Sequence, residues 1–293
     1  MSIELLLDAR AQIGESPLWV APEQALYWID VKAPALHRLH HESGVTSTWT
    51  LPADIGGFAL DGRGRAFVAL RTGLYWLDLE TYKLSLVASP PFDTRLVRFN
   101  ESACDSAGRF WIGTMTDPVD NTQTDRTGLL HSFTTTEGLR VHLDTARTTN
   151  GMAWNIDDTV FYLAHSEERI IYEFEFDLAQ GHLGTRRKFL QLTKTDGVPD
   201  GAAIDAEGGY WCAIHGAGEL HRYTASGALD RVITLPISQP TMCCFTGTNL
   251  EYLCVTSARD KLDEEALMRE PNAGGIFRLR LGIKGHSRNW RVI

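Results

Sequence analysis

The sequence predicts an all-β fold, a six-bladed β-propeller, on three observations. Long stretches of helical periodicity are scarce. Short runs rich in Val, Ile, Phe, Tyr and Trp dominate instead, broken by turns such as "DGRG", "DSAG" and "DAEG". One strand–turn–strand pattern then recurs six times in a common frame.

The first copy, "ESPLWVAPEQALYW", opens at Glu15, and the second, "GGFALDGRGRAFVA", at Gly56. "NESACDSAGRFWIG" from Asn100, "NGMAWNIDDTVFYL" from Asn150 and "DGAAIDAEGGYWCA" from Asp200 superimpose without gaps at an offset of 50. The sixth, "TMCCFTGTNLEYLCV" from Thr241, follows with one inserted residue. In each, a small or polar residue opens an apolar strand, a polar turn follows, and an aromatic-rich strand returns. Most copies continue into a third strand such as "GLYWLDLE", "IIYEFEFD" or "ELHRYTAS".

The opening positions are 41, 44, 50, 50 and 41 residues apart, the period of a propeller blade built from antiparallel strands. A β-sandwich with regularly spaced turns would not hold this register through six segments. The N-terminal "IELLLDA" is expected beside the C-terminal "GIFRLRL", closing the ring, so residues 1–293 read as one domain. "LDEEALMRE", 262–270, is the one helix-like segment, a surface insertion with acids at its start.

Composition bounds the function. With 28 basic against 37 acidic residues the formal charge is −9, which repels phosphate backbones and argues against a nucleic-acid partner. Five cysteines without a CxxC pair fit neither a disulfide framework nor a thiolate zinc site, and are expected as buried free thiols. "MSIELLLDAR" lacks the features of a signal peptide, and no apolar run reaches the roughly 18 residues of a membrane span. The expectation is a cytoplasmic protein with no membrane partner.

The innermost strand of each blade lines the channel, so Glu15, Gly56, Asn100, Asn150, Asp200 and Thr241 should share one mouth. Four of these are carboxylates or amides. Converging carboxylates repel each other unless a cation lies between them. Hard oxygen donors suit Ca²⁺, Mg²⁺ or Mn²⁺, and Zn²⁺ or Fe²⁺ also accepts them, so one divalent cation is expected in the channel. Asn150-Gly151 and Asp200-Gly201 are also strong turn dipeptides, and either alone would read as a turn. Four polar residues in one repeat frame read as a site.

The same segments resemble the senescence marker protein/gluconolactonase/luciferin-regenerating enzyme family. The matching pieces are "GESPLW", "RFNE", "GRFWIGTM", "NGMAW", "VPDGAAID", "QPTMCCF" and "VTSAR", in family order over nearly the full chain. The resemblance implies metal ligation by Glu15, Asn150 and Asp200, with Asp200 also as general base. It adds Arg98 and Asn100 as substrate contacts; Arg98 comes from the resemblance alone. Departures fall at Asn100-Glu101-Ser102, where Asn-Asp-Gly is frequent, and at His165 and His215. A further one is the loop after Met115, where Asp117 and Pro118 stand at a family lid position. These bear on the substrate pocket.

The implied reaction is metal-dependent hydrolysis of a sugar aldonolactone to the aldonic acid. A cation polarises the carbonyl and stabilises the oxyanion. Asp200 and a water activated on the cation are left as equal candidates for the base. Three rivals stay open: a calcium-binding protein without turnover, an esterase or phosphotriesterase on the same scaffold, and an interaction scaffold acting through its outer faces.

Overall fold

The computed structural model describes residues 2–117, 128–144, 147–192 and 197–292. They form six four-stranded antiparallel sheets, the blades of a propeller. The inner strands are Gly14–Val20, Ile55–Leu60, Val97–Cys104, Thr149–Trp154, Val198–Ile204 and Pro240–Thr246. Each touches the next, and the sixth touches the first. The ring closes as the termini foretell: Ile3–Leu7 pairs antiparallel with Ile276–Arg280, giving blade six its outer strand. The helix-like segment is a short helix, Glu264–Arg269, capped by the Asp263 carboxylate, which accepts from Ala266 N.

Six apolar clusters hold the ring, one at each junction between neighbouring blades. Tyr27, Trp49 and Phe58 join blades one and two. Phe67, Phe99, Phe110 and Phe133 join two and three. Trp111, Trp154, Phe161 and Phe176 do the same for three and four. Tyr162 and Tyr210 lie between four and five, Trp211 and Phe245 between five and six, and Trp19, Trp28 and Cys254 between six and one. Each fully buried aromatic contributes roughly 2–3 kcal/mol. All five cysteines are free and buried.

The turn that follows the inner strand is built the same way in several blades. Asp61, Asp105 and Asp205 each accept backbone N–H groups from the residues two and four positions on. Asp105 and Asp205 also accept from the indole of the returning strand, Trp111 Nε1 at 3.0 Å and Trp211 Nε1 at 2.8 Å. The "DxxG" turns and the aromatic strands of the repeat are thus one device, a carboxylate clamp on the hairpin.

The chain after blade six forms a strap. Lys284 O accepts from Ala206 N, and Gly285 N and His286 N donate to Leu250 O and Ile204 O. Further on, Leu60 N donates to Trp290 O, and Asn289 Nδ2 donates to Asp105 O at 2.7 Å. The strap therefore runs from blades five and six to blades two and three, beside the ends of the inner strands remote from Glu15 and Asp200.

Candidate metal and substrate site

Every inner strand carries a β-bulge, near its start in five blades and midway in the third. The register with the second strand shifts between Glu15 and Leu18, Ile55 and Gly57, Asn100 and Ser102, Asn150 and Ala153, Pro199 and Ala202, and Pro240 and Cys243. A bulge bends its strand and re-aims the side chain beside it. Three bulges place Ser16, Glu101 and Gly151 in the left-handed region, at φ of 50°, 48° and 63°.

At this mouth Glu15, Arg98, Asn100, Asn150, Asp200 and Thr241 line one cavity of about 320 Å³. All five side chains singled out for chemistry in the sequence therefore meet. Gly56 supplies nothing, because a Cβ there would stand 2.2 Å from Phe99 O. Blade two has to be bare where blade three presses on it. Thr241 serves the frame, donating to Gly14 O at 2.5 Å and so tying blade six to blade one.

The amides are interlocked. Asn100 Nδ2 donates to Asn150 Oδ1 at 2.7 Å and to Thr149 O at 2.9 Å, while Asn100 Oδ1 accepts from Arg98 Nη1 at 2.8 Å. Asn150 Nδ2 donates to Ser166 Oγ at 2.9 Å, and Ser166 Oγ donates to Pro199 O at 2.7 Å. The sequence marked Asn100 as a substrate contact; here its amide is engaged on both sides in orienting Arg98 and Asn150.

Arg98 is buried, 5% exposed. Its Nε lies 3.4 Å from Asp117 Oδ2. Asp117 also pairs with Lys32, at 2.7 Å, and with Arg71. Burial alone would raise the Asp117 pKa; Lys32, Arg98 and Arg71 together hold it below the ordinary value. Pro118, the other residue noted at the lid position, lies outside the described residues.

The two carboxyl groups are held the opposite way. Burial, reinforced by repulsion from Glu101, pushes Glu15 up to about 8. Asp200 is raised well above the usual carboxylate range, by burial first and then by Glu15 and Glu101. Such mutual repulsion in a half-dry channel is what a bound cation relieves. Among the described residues no three His, Cys, Asp or Glu side chains are grouped to hold a metal. The convergent oxygen donors are instead two carboxylates and the amide of Asn150.

Residues the repeat frame passed over also line the cavity, among them Ser166, Glu167, His215 and Lys261. They stand at strand ends and on loops, where the repeat loses register. Of the two histidine departures, His215 is in the cavity, with Nδ1 3.8 Å from Asp200 Oδ2, and burial lowers its pKa. His165 instead packs edge-on against Tyr172, and its Nδ1 lies 3.3 Å from Glu168 Oε2.

Comparison with known proteins finds relatives that match over nearly the whole chain. The profile of the SMP-30/Gluconolactonase/LRE-like region matches residues 13–259. Regucalcin from Macaca fascicularis is 32% identical over 288 residues, covering 97% of this chain and 96% of its own. A 6-deoxy-6-sulfogluconolactonase from Pseudomonas putida is 34% identical over 274 residues, covering 93% and 92%. Among solved structures, a calcium-binding protein, regucalcin, from Agrobacterium tumefaciens superimposes with a TM-score of 0.92. It is 26% identical, with 99% of this chain and 98% of the other covered. The chain belongs to the SMP-30/gluconolactonase/LRE-like family.

Proposed function

We propose that this propeller binds one divalent cation through Glu15, Asn150 and Asp200 and hydrolyses a sugar aldonolactone to the aldonic acid. The observation that carries the proposal is the content of one cavity. Four blades bring together two carboxylates, two interlocked amides and a buried guanidinium. The donors are all oxygen, the set that suits Ca²⁺, Mg²⁺ or Mn²⁺ and is accepted by Zn²⁺ or Fe²⁺. When bound, the cation would supply Lewis acidity toward the lactone carbonyl and the charge that offsets the two carboxylates.

The residues divide the remaining work. Asp200, ionised when the cation offsets the charge of Glu15, takes the proton of the attacking water. Arg98, anchored by Asp117 and Asn100, presents its remaining donors to the sugar oxygens. Asn100 fixes the direction of the Asn150 amide. The 6-deoxy-6-sulfogluconolactonase relative supports lactone chemistry for such a chain. The reading takes residues 1–293 as one functional unit, because the cavity draws on residues from both ends of the ring.

A second reading is cation binding without turnover. Relatives named regucalcin match over nearly the full chain, and one solved relative is titled a calcium-binding protein. Those names give the cation half wider support than the catalytic half. Proton release over a panel of aldonolactones, an aryl ester and a phosphotriester, with and without chelator, separates the readings. Release that needs both cation and lactone, and that is lost in Asp200→Ala, supports hydrolysis of lactones. Calorimetric cation binding with no release on any substrate selects the second reading, and absence of both overturns the proposal.

A further inference from the structure

The bulge after Asn150 turns two backbone N–H groups, those of Gly151 and Met152, away from the strand ladder. One carboxylate takes both. Glu101 Oε2 accepts from Gly151 N at 2.7 Å, and Glu101 Oε1 accepts from Met152 N at 2.5 Å. Glu101 is 3% exposed and is itself a bulge residue of the neighbouring blade, at φ 48°. The bulge that sets the Asn150 ligand is therefore pinned by the bulge that sets Asn100. Bonds from N–H to a carboxylate are the short, strong kind, and they fix the backbone from which the Asn150 side chain projects.

This makes a third carboxylate in the channel, in the neighbourhood of Glu15 and Asp200. A divalent cation matches the charge of the latter two, so Glu101 needs a partner of its own. The strap brings a guanidinium into its neighbourhood, held on the adjacent backbone and not in an ion pair with it. Arg288 reaches in from the far mouth and donates from Nη2 to Ser102 O at 2.8 Å, one residue beyond Glu101. Burial pushes the Glu101 carboxyl up to about 7, opposed first by the two N–H bonds and then by Arg288. Arg288 itself lines a second cavity, about 270 Å³, whose walls mix Leu18 and Met152 with polar residues such as Asn155 and His286. At 3% exposure an ionised Glu101 without compensation would be costly, since a buried charge needs an opposite charge nearby.

We infer that Glu101 is a positioning residue for the Asn150 ligand, and that the C-terminal strap supports it through Arg288. The far mouth of the channel thus acts on the cation site without touching it. Residues 13–259 match the family profile, so Arg288 lies outside the matched region. The inference rests on the cation site proposed above.

The test uses the full chain and variants Glu101→Gln, Arg288→Met and Arg288→Lys. Calcium and manganese affinities are measured by calorimetry, and amide exchange at Gly151 and Met152 is followed in chelator. Glu101→Gln and Arg288→Met should each weaken cation binding about tenfold or more, the usual cost of removing a group that supports a metal ligand. Both should quicken exchange at the two amides more than elsewhere in blade four, and Arg288→Lys should restore both readouts. A purely structural role would lower the melting temperature and leave the affinity of the folded protein unchanged. Folded Arg288→Met with native affinity and native exchange overturns the role of the strap, and the same result for Glu101→Gln overturns both. Where the wild type binds no cation, the proposed function fails, while the exchange data still decide the positioning role. Should Arg288→Met not fold, Arg288→Gln takes its place in the same two measurements.

Discussion

Asn100 and Asn150, fifty residues apart in the chain, are joined side chain to side chain, Asn100 Nδ2 donating to Asn150 Oδ1 at 2.7 Å. The donation fixes which end of the Asn150 amide faces the cavity, because its Nδ2 is committed to Ser166. Replacing Asn100 by aspartate sets a carboxylate against Asn150 Oδ1. Cation affinity should fall about tenfold, as for other groups that orient a metal ligand. Calorimetry with Ca²⁺ and Mn²⁺ checks this, and unchanged affinity would detach Asn100 from the metal site.

Glu15→Gln should separate stability from function. The Glu15 carboxyl is raised to about 8, so in the metal-free protein it favours folding below its unfolded value of 4.5 and loses that advantage as pH rises through 8. Removing the charge at pH 9 in chelator should stabilise the fold by on the order of 1–2 kcal/mol and abolish cation binding. Urea melts of both proteins in chelator decide it. A Gln variant less stable than wild type at pH 9 contradicts the burial and the Glu101 repulsion that raise Glu15.

Asp117→Asn should loosen the substrate side alone. Asp117 gathers Lys32, Arg71 and Arg98, and its loss leaves Arg98 without its carboxylate partner. The lactone KM should rise about tenfold, equivalent to one charge-assisted hydrogen bond. Cation affinity should stay at the native value. Loss of cation binding in this variant would show that the two sites are not separable.

Asp205→Ala tests the hairpin clamp. The fully buried carboxylate accepts from Glu207 N, Gly209 N and Trp211 Nε1, and pairs with Arg222 Nε at 2.7 Å. Its removal strands the indole N–H and two backbone N–H groups, while Arg222 keeps Glu207 and Asp230, so the cost should be about 2–3 kcal/mol. Denaturant unfolding gives the figure directly, and a cost below about 1 kcal/mol, the scale of a surface pair, would refute the clamp.

Blade three should carry an acid-sensitive term. Burial pushes His131 down to about 4, and burial with the nearby Arg140 does the same to His142. Both folded values lie below the unfolded 6.5, so the unfolded chain binds more protons between those limits. Their contribution to stability is full above about 6.5 and is lost as pH falls toward 4. His131→Gln should lose less stability than the wild type between pH 7 and pH 5. Equal losses in urea titrations at the two pH values would remove His131 from the acid response.

How far the chain could be read depended on repetition. Glu15, Asn100, Asn150 and Asp200 were legible because each stands at the start of an inner strand, where six copies of one hairpin impose one geometry. The number of blades and the pairing of the terminal strands followed from the same frame. The bulges were not legible, since a register slip leaves the order of apolar and polar residues unchanged. Glu101 accordingly looked like a departure in the substrate pocket, yet its carboxylate faces the freed N–H groups of the next blade. Arg288 had no signal at all, because the strap is not a copy of anything. The reason for glycine at position 56 was not legible either: the close approach of Phe99 excludes any side chain there.

The pairing of Ile3–Leu7 with Ile276–Arg280 joins the two ends of the chain in one sheet. Contacts between residues so distant in sequence form late, because the whole intervening chain must first be confined. A chain still emerging from the ribosome can build blades one to five in turn, but not the sixth. Glu15 and Asp200 face each other across the ring only once that last sheet locks. On the proposed cation site, capture of the ion would follow closure of the ring, and a chain lacking Ile276–Arg280 should gain no stabilisation from added cation.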